Sequence, residues 1–352
     1  MSFLFIGSTG NHAGRSLTTW AIARKLIEKG LNVGFLKPFG SKPILSNDGW
    51  TDSDAVLFKQ VLNLEGPMEK ICPYPLAEEA LLEKGPEEIL EEFQILAHEL
   101  GAVHDIVIIM GARHIFFDNT AFPVHDINLS MGIMADFILV DRYKDISRSI
   151  YSILSVRSLL NERIKGVILN RIPLKKIAEV RDRIKPYISS KGMPLTAIIP
   201  EEPSLTFRSL EEIREILDGK FLCGEEKLQQ PVGAMTTGTS DLKGNLKLFK
   251  RVYNKIILLS PRSRNTETEG SGAGVAVAAV VLTGGRKPAF QVLETAKKAG
   301  ISLILVNEDT FSALERLEQT PSTLSSEDNV KVERFIGLFD HEGALDRLLD
   351  SL

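Results

Sequence analysis

Short, continuous apolar runs alternate with amphipathic stretches along most of the chain. The runs are Phe3–Gly7, Asn32–Leu36, Asp105–Met110, Phe137–Val140, Gly166–Leu169 and Leu195–Ile199. Unbroken apolarity over so few residues is what a strand buried on both faces requires. Between them, Arg15–Lys29, Asp54–Leu62, Glu87–Leu100, Arg148–Leu160 and Ile177–Ile188 carry apolar residues at helical spacing, and Gly30 stops the first. Strands alternating with helices predict an α/β fold with a mainly parallel sheet and right-handed crossovers. The beat weakens after Leu217. Asp218–Gln230 holds Gly219, Gly224 and several charges, so it is expected to be a linker between a first domain, 1–217, and a second, smaller α/β domain, 231–352. In the second, Val232–Met235, Lys255–Ser260, Ala276–Leu282 and Ile301–Val306 read as strands. Leu242–Tyr253, Pro288–Ala299, Phe311–Gln319 and Val330–Phe339 read as helices, with Pro288 in a first turn and Gly300 as a C-cap. Arg262–Gly274, rich in Ser, Thr, Gly and charge, is expected to be a long mobile loop.

A length of 352 residues agrees with two domains at roughly 150 residues each. The formal charge is −4, from 42 basic and 46 acidic residues, which argues against a main role in gripping nucleic acid or anionic lipid. Cys72 and Cys223 are the only cysteines and make no zinc or disulfide pattern, which fits a reducing compartment. No apolar run reaches the roughly 18 residues of a membrane span. Phe3-Leu4-Phe5-Ile6 follows Met1 and Ser2 without a basic segment, so no secretory signal is expected and a cytoplasmic location is.

The strongest chemical signal is Gly7-Ser8-Thr9-Gly10-Asn11-His12-Ala13-Gly14-Arg15-Ser16, placed between the first strand and the first helix. Such a turn aims backbone N–H groups at one point, and the helix dipole adds positive charge there, so the place suits phosphate. Ser16 stands where a P-loop offers a hydroxyl to Mg2+. The full pattern asks for Gly at position 9 and Lys at position 15, and the chain has Thr9 and Arg15. Arg keeps the charge but not the compact ammonium. The same residues also suit a tight turn with no ligand.

This loop, with Phe35-Leu36-Lys37-Pro38-Phe39-Gly40, Asp52, Asp54, Gly111-Ala112 and Gly166-Val167-Ile168-Leu169-Asn170-Arg171, resembles the dethiobiotin synthetase-like P-loop domain. That domain also opens long phosphotransacetylases. The resemblance implies that Gly10, Asn11, His12, Ala13, Gly14, Arg15 and Ser16 bind ATP or another nucleotide, with Asn170 on the adenine. It implies Mg2+ on Ser16 and Asp54, and substrate contact, the candidate catalytic role, for Lys37. A metal-binding glutamate of the family falls on Met110, so binding is expected to survive better than turnover. Val232-Gly233-Ala234-Met235, Leu282-Thr283-Gly284-Gly285-Arg286-Lys287-Pro288 and Asp309-Thr310-Phe311 resemble a DRTGG domain. In the family a transacetylase domain follows, whereas this chain ends at Leu352. The expectation is a regulatory or sensing protein, without that catalytic domain, that binds nucleotide or phosphate. It is expected to form a homodimer through the DRTGG domain and to have a protein partner in acyl-phosphate metabolism. The alternative is an ATP- and Mg2+-dependent ligase acting through an acyl- or carbamoyl-phosphate. A vestigial scaffold is the third reading.

Several features carry less. Thr283, Gly284 and Gly285, before a Pro-started helix, form a second anion candidate or a plain turn. Ser260-Pro261-Arg262-Ser263-Arg264-Asn265 lacks the acidic half of the DRTGG signature. His114, Asp118, His125 and Asp126 lie in one stretch, but their irregular spacing among Phe116, Phe117 and Phe122 favours a loop over the sheet to a metal site. His12 reads as a loop histidine that would favour phosphate when protonated. Cys72, beside Pro73, reads as packing, and Glu87, Glu88, Glu91 and Glu92 as a solvated helix start.

Overall fold

The computed structural model describes residues 2–10, 12–46, 49–112, 115, 124–237, 256–260, 277–320 and 322–351. The chain forms two compact units, one of 1–202 with 324–352 and one of 203–323.

The first unit begins with β1 (Ser2–Ser8), α1 (Arg15–Glu28) and β2 (Val33–Leu36). A hairpin of β3 (Pro43–Ser46) and β4 (Gly49–Asp52) leads into α2 (Ser53–Val61). Then follow α3 (Ala77–Glu83), α4 (Pro86–Val103), β5 (Ile106–Met110), α5 (Asp126–Gly132), β6 (Asp136–Arg142), α6 (Ile146–Leu160), β7 (Ile164–Ile172) and β8 (Leu195–Pro200). The six longer strands make one parallel sheet in the order β2-β5-β1-β6-β7-β8. β1 is central, with Phe5 opposite Ile109 on one side and Phe137 on the other. Every residue of β5 is buried, as its unbroken apolar run requires. Phe5 and Phe137 stack with centroids 5.3 Å apart, and a side chain at Gly7 would strike the Phe137 ring. Full burial of each such side chain stabilises by about 1.5–3 kcal/mol.

The Ile177–Ile188 pattern is interrupted. A turn of α-helix (Ile177–Glu179) widens into one π turn (Val180–Ile184) before Lys185–Ser190 resumes. Pro186 lacks an N–H and its ring crowds the carbonyl four residues back, and the wider turn relieves that crowding. Val180, Ile184 and Ile188 still face the core.

The second unit holds β9 (Arg208–Ser209), β10 (Lys220–Cys223), β11 (Pro231–Val232), β12 (Ala234–Thr237), β13 (Ile256–Ser260), β14 (Ala279–Leu282) and β15 (Ser302–Leu305). Its main sheet runs β10-β15-β14-β13-β12, and only β14 and β15 pair in parallel. Helices Phe290–Ala299 and Thr310–Gln319 follow β14 and β15, and Gly300 ends the former at φ 65°. The expected helix at 242–253 and loop at 262–274 lie outside the described residues.

Two boundaries differ from those read off the sequence. The stretch expected as a linker, 218–230, contains β10, a strand of the second sheet. The helices Asn329–Phe339 and Ala344–Asp350 belong to the first unit, packed on α1 and β8, rather than to the second. Phe335, Phe339, Leu345 and Leu348 are buried there, and Arg24–Glu333 and Lys29–Asp350 ion pairs lie at the rim. An amphipathic period shows that a helix buries one face but not which core receives it. Among the described residues no helix is long and apolar enough to cross a membrane.

Candidate functional site

β1 hands over to α1 through a loop held by left-handed backbone at His12 (φ 56°) and Gly14 (φ 99°). A Cβ at Gly14 would run into the Asn170 side-chain amide, so the position needs glycine on two grounds. The Ser8 hydroxyl donates to the Gly10 carbonyl over 3.0 Å. Among the described residues, the amides of Ala13, Gly14 and Ser16 have no acceptor within the protein. α1 has no side-chain cap and no acidic residue of its own in its first turn. Asn11 lies outside the described residues.

Two buried braces fix the loop. Asn170, at the end of β7, donates its side-chain amide to the Ala13 carbonyl over 2.8 Å, and its Oδ1 accepts the Arg171 N–H over 2.8 Å. The residue expected on an adenine is thus joined to the loop itself. Thr9, where the pattern asks for glycine, donates its hydroxyl to the Asp141 carboxylate of β6. Burial pushes the Asp141 carboxyl up to about 6, against the pull of that hydrogen bond.

On the β2 side, Lys37 is positioned by its amide, which donates to the Ile71 carbonyl over 2.8 Å. Its Nζ is fully buried, 3.7 Å from Asp54 and 3.9 Å from Asp52, and makes no hydrogen bond. Asp52 caps α2: Oδ2 accepts the Ser41 and Lys42 amides over 2.7 Å each, and Oδ1 accepts that of Asp54 over 2.9 Å. Asp54 accepts the Ser16 hydroxyl over 2.8 Å, and Lys42 Nζ lies 3.6 Å away. Burial alone would raise the Asp54 carboxyl. Lys37, Lys42, the Ser16 bond and Arg15 outweigh it and hold it below the ordinary carboxylate value.

Arg15 donates to the Gly111 carbonyl over 2.8 Å, just beyond β5, and Met110 at the end of that strand is buried in the core. Asp126, set aside in the sequence as a loop residue, starts α5 beside this point. Its Oδ1 accepts the Ala112 N–H over 3.2 Å, whereas Oδ2 is buried without a hydrogen bond. Burial raises its carboxyl against the opposing charges of Arg15 and Lys37. The one sequence signal for it is an acidic residue opening a helix. His114 and Asp118 lie outside the described residues, and among those described no group of three metal-ligating side chains converges.

The rim is cationic. The His12 imidazole is exposed but held below its ordinary value by partial burial and by the charges of Arg171, Arg142, Lys42 and Arg15, so it is kept neutral rather than protonated. Cys72 is buried and its thiol is pushed up to about 12 by burial, as suits packing and not a nucleophile.

The second-unit candidate has different geometry. The Gly284 amide donates to the Glu308 carbonyl over 2.7 Å and the Gly285 amide to that of Val306 over 2.9 Å. Thr283 and Thr310 hydroxyls bond each other over 2.8 Å. Asp309 caps the next helix through the Phe311 and Ser312 amides. The Gly284 and Gly285 amides an anion would need are engaged inside the protein, and the Asp309 carboxylate caps the neighbouring helix Thr310–Gln319, so Thr283, Gly284 and Gly285 form a strand-to-helix turn and not a phosphate cradle.

Comparison with known proteins agrees with this two-part organisation. The phosphate acetyltransferase of Deinococcus radiodurans is 22% identical over 356 aligned residues, covering 96% of this chain and 49% of that protein. The chain therefore spans about half the length of such relatives. The ATP-dependent dethiobiotin synthetase of Brachyspira hyodysenteriae is 27% identical over 210 residues, 56% of this chain and 90% of that protein. Among solved structures, the MinD cell division protein of Aquifex aeolicus aligns with 58% of this chain and 84% of its own at 17% identity, with a TM-score of 0.37. A DRTGG domain matches residues 212–320. Residues 3–209, more than half of the chain, match the AAA domain family, and to that family the chain belongs.

Proposed function

We propose that the first unit binds a nucleotide or related phosphate ligand at the loop of Gly10–Ser16 and serves a regulatory or sensing role. The observation that carries this reading is the loop itself. It is braced by Asn170 and Thr9, its amides at Ala13, Gly14 and Ser16 are unengaged, and the charges of Arg15 and Lys42 act at its tip. Those groups favour an anion in the ground state. The groups that would drive transfer are weaker. Met110 offers a buried thioether where the related synthetases are expected to place a metal-binding carboxylate. The donor set does not by itself make a resident Mg2+ site. Asp54 already accepts from Ser16, and two ammonium groups lie within 3.7 Å of its oxygens. Homodimerisation through the DRTGG domain, a cytoplasmic location and a partner in acyl-phosphate metabolism belong to the same proposal, supported by the relatives named phosphate acetyltransferase.

One observation favours the second reading, an ATP-dependent synthetase. Lys37 keeps a buried ammonium with no hydrogen bond between Asp52 and Asp54, next to Ser16. Such an ammonium still has hydrogen bonds to give. Thermal unfolding against ADP, ATP and inorganic phosphate, with and without Mg2+, separates the readings. A ligand at about 100 times its Kd adds about 2.7 kcal/mol. The expected result is a rise with nucleotide that persists without Mg2+, is lost in Arg15→Ala, and is accompanied by no phosphate release. No rise with any nucleotide overturns the binding reading. ATP turnover that depends on Lys37 and Asp54 replaces sensing with synthesis.

A further inference from the structure

Arg142 closes β6 and Arg171 lies just past Asn170, its register partner's position on β7. Both side chains are half-buried. Among the described residues neither has a carboxylate within ion-pair distance. They are close enough to oppose one another. Arg171 is disfavoured as a cation first by burial and next by Arg142, with Glu201 acting more weakly the other way. Arg171 also holds a left-handed backbone (φ 57°), which a non-glycine residue adopts only where its surroundings hold it there. Partly desolvated like charges without a counter-ion are unfavourable, and an anion between them would offset both the burial and the repulsion.

Their placement separates them from the chemistry already described. The loop follows β1. In the sheet order, Lys37 follows β2 on one side of it, whereas Arg142 and Arg171 end β6 and β7 on the other. Both arginines act electrostatically on His12 at the loop tip. A ligand seated on the loop therefore has a second cationic station away from Ser16 and Asp54.

We propose that Arg142 and Arg171 form a second anion subsite, so that the ligand of the first unit carries two separated phosphates. One is held by the loop and the other lies on the β6–β7 side, as in a nucleotide phosphorylated on its ribose as well as at its 5′ position. This rests on the loop reading above.

Calorimetric titration of the full chain with ADP, adenosine 3′-phosphate 5′-diphosphate and adenosine 5′-tetraphosphate tests it, in wild type, Arg142→Met and Arg171→Asn. Asn tolerates the left-handed backbone. The ribose-phosphorylated nucleotide is expected to bind about tenfold or more tighter than ADP, as a charge-assisted contact allows. Both variants lose that advantage and keep ADP. Ligand-free, each variant unfolds no lower than wild type, because a repulsion has been removed, which excludes misfolding as the cause. An arginine-dependent gain with the tetraphosphate instead keeps the subsite and assigns it to a longer 5′ chain. Equal affinity for all three ligands, unchanged by the variants, overturns the subsite while leaving the loop reading standing. Loss of ADP binding in both variants overturns it too, by giving the pair to the 5′ phosphates. No binding of any ligand overturns the loop reading and the subsite together.

Discussion

The Asn170 side-chain amide donates to the Ala13 carbonyl over 2.8 Å and ties β7 to the middle of the loop between β1 and α1. The same side chain accepts the Arg171 N–H, so one residue fixes the loop and the left-handed turn beside it. Asn170→Ala leaves a buried carbonyl and an amide without partners. We expect a loss of about 1–3 kcal/mol in denaturant unfolding, together with weaker nucleotide binding. Unchanged stability would show that the brace is not needed.

Gly14→Ala tests the same junction from the other side. The backbone at φ 99° is strained for any side chain, and the new methyl meets Asn170. The cost is about 1–3 kcal/mol, and ligand binding is lost because Asn170 must leave Ala13. In contrast, Gly30→Ala, at φ 86° with open space around it, is expected to cost only the backbone strain of about 1 kcal/mol. Comparing the two variants in the same titration isolates the clash.

Asp141 gives a signed pH dependence. Its carboxyl is raised from 3.8 to about 6 in the folded protein. The native state therefore holds a proton that the unfolded chain has released, and stability falls as pH rises through that window. Above it, the ionised buried group leaves a constant penalty. Asp141→Asn keeps an acceptor for Thr9 and removes the penalty. At pH 8 the variant is expected to be more stable by up to about 3 kcal/mol, with a flatter profile between 3.8 and 6. A variant less stable than wild type at pH 8 would show that the charge itself is needed.

Asp54 has the opposite sign. Its carboxyl is held low, chiefly by Lys37 and Lys42 working against burial, so its contribution is present above the ordinary carboxylate value and is lost as pH falls through the lowered one. Asp54→Asn leaves the buried Lys37 ammonium with only Asp52, 3.9 Å away. We expect a loss of about 3 kcal/mol at neutral pH and a shallower acid limb in thermal melts. Lys37→Met in the Asp54→Asn background should recover part of it, because the uncompensated charge is gone.

In the second unit, inorganic phosphate should leave the amide resonances of Gly284 and Gly285 in place, because both amides are already donating to carbonyls. Shifts there, at concentrations that move Ala13 and Gly14, would restore the second anion site.

Much of this was legible in the sequence. Ile106-Val107-Ile108-Ile109 could be little other than a strand buried on both faces, and Gly7–Ser16 announced the strand-to-helix turn between β1 and α1. Lys37, Asp54 and Ser16, which the sequence singled out, lie together in the structure. What escaped was pairing across distance. Thr9 read as a departure from a motif and not as the partner of Asp141, 132 positions away. Asn170 read as a ligand contact because sequence spacing does not show which carbonyl a side chain reaches. The glycines after Thr283 matched a motif, yet their hydrogen bonds depend on Val306 and Glu308, on the neighbouring strand's exit. Asp126 carried no signal beyond its helix start.

The return of the last two helices to the first unit makes the stretch 203–323 an insert spliced into its host at two points. Cutting the chain after the first sheet would therefore amputate Phe335, Phe339, Leu345 and Leu348 from α1 and β8 and bare their apolar bed. A faithful minimal fragment of the first unit must be made by excision, joining the residues before 203 to those after 323. The stretch 203–323 is likewise joined to its host at both ends, so it can be removed as one piece.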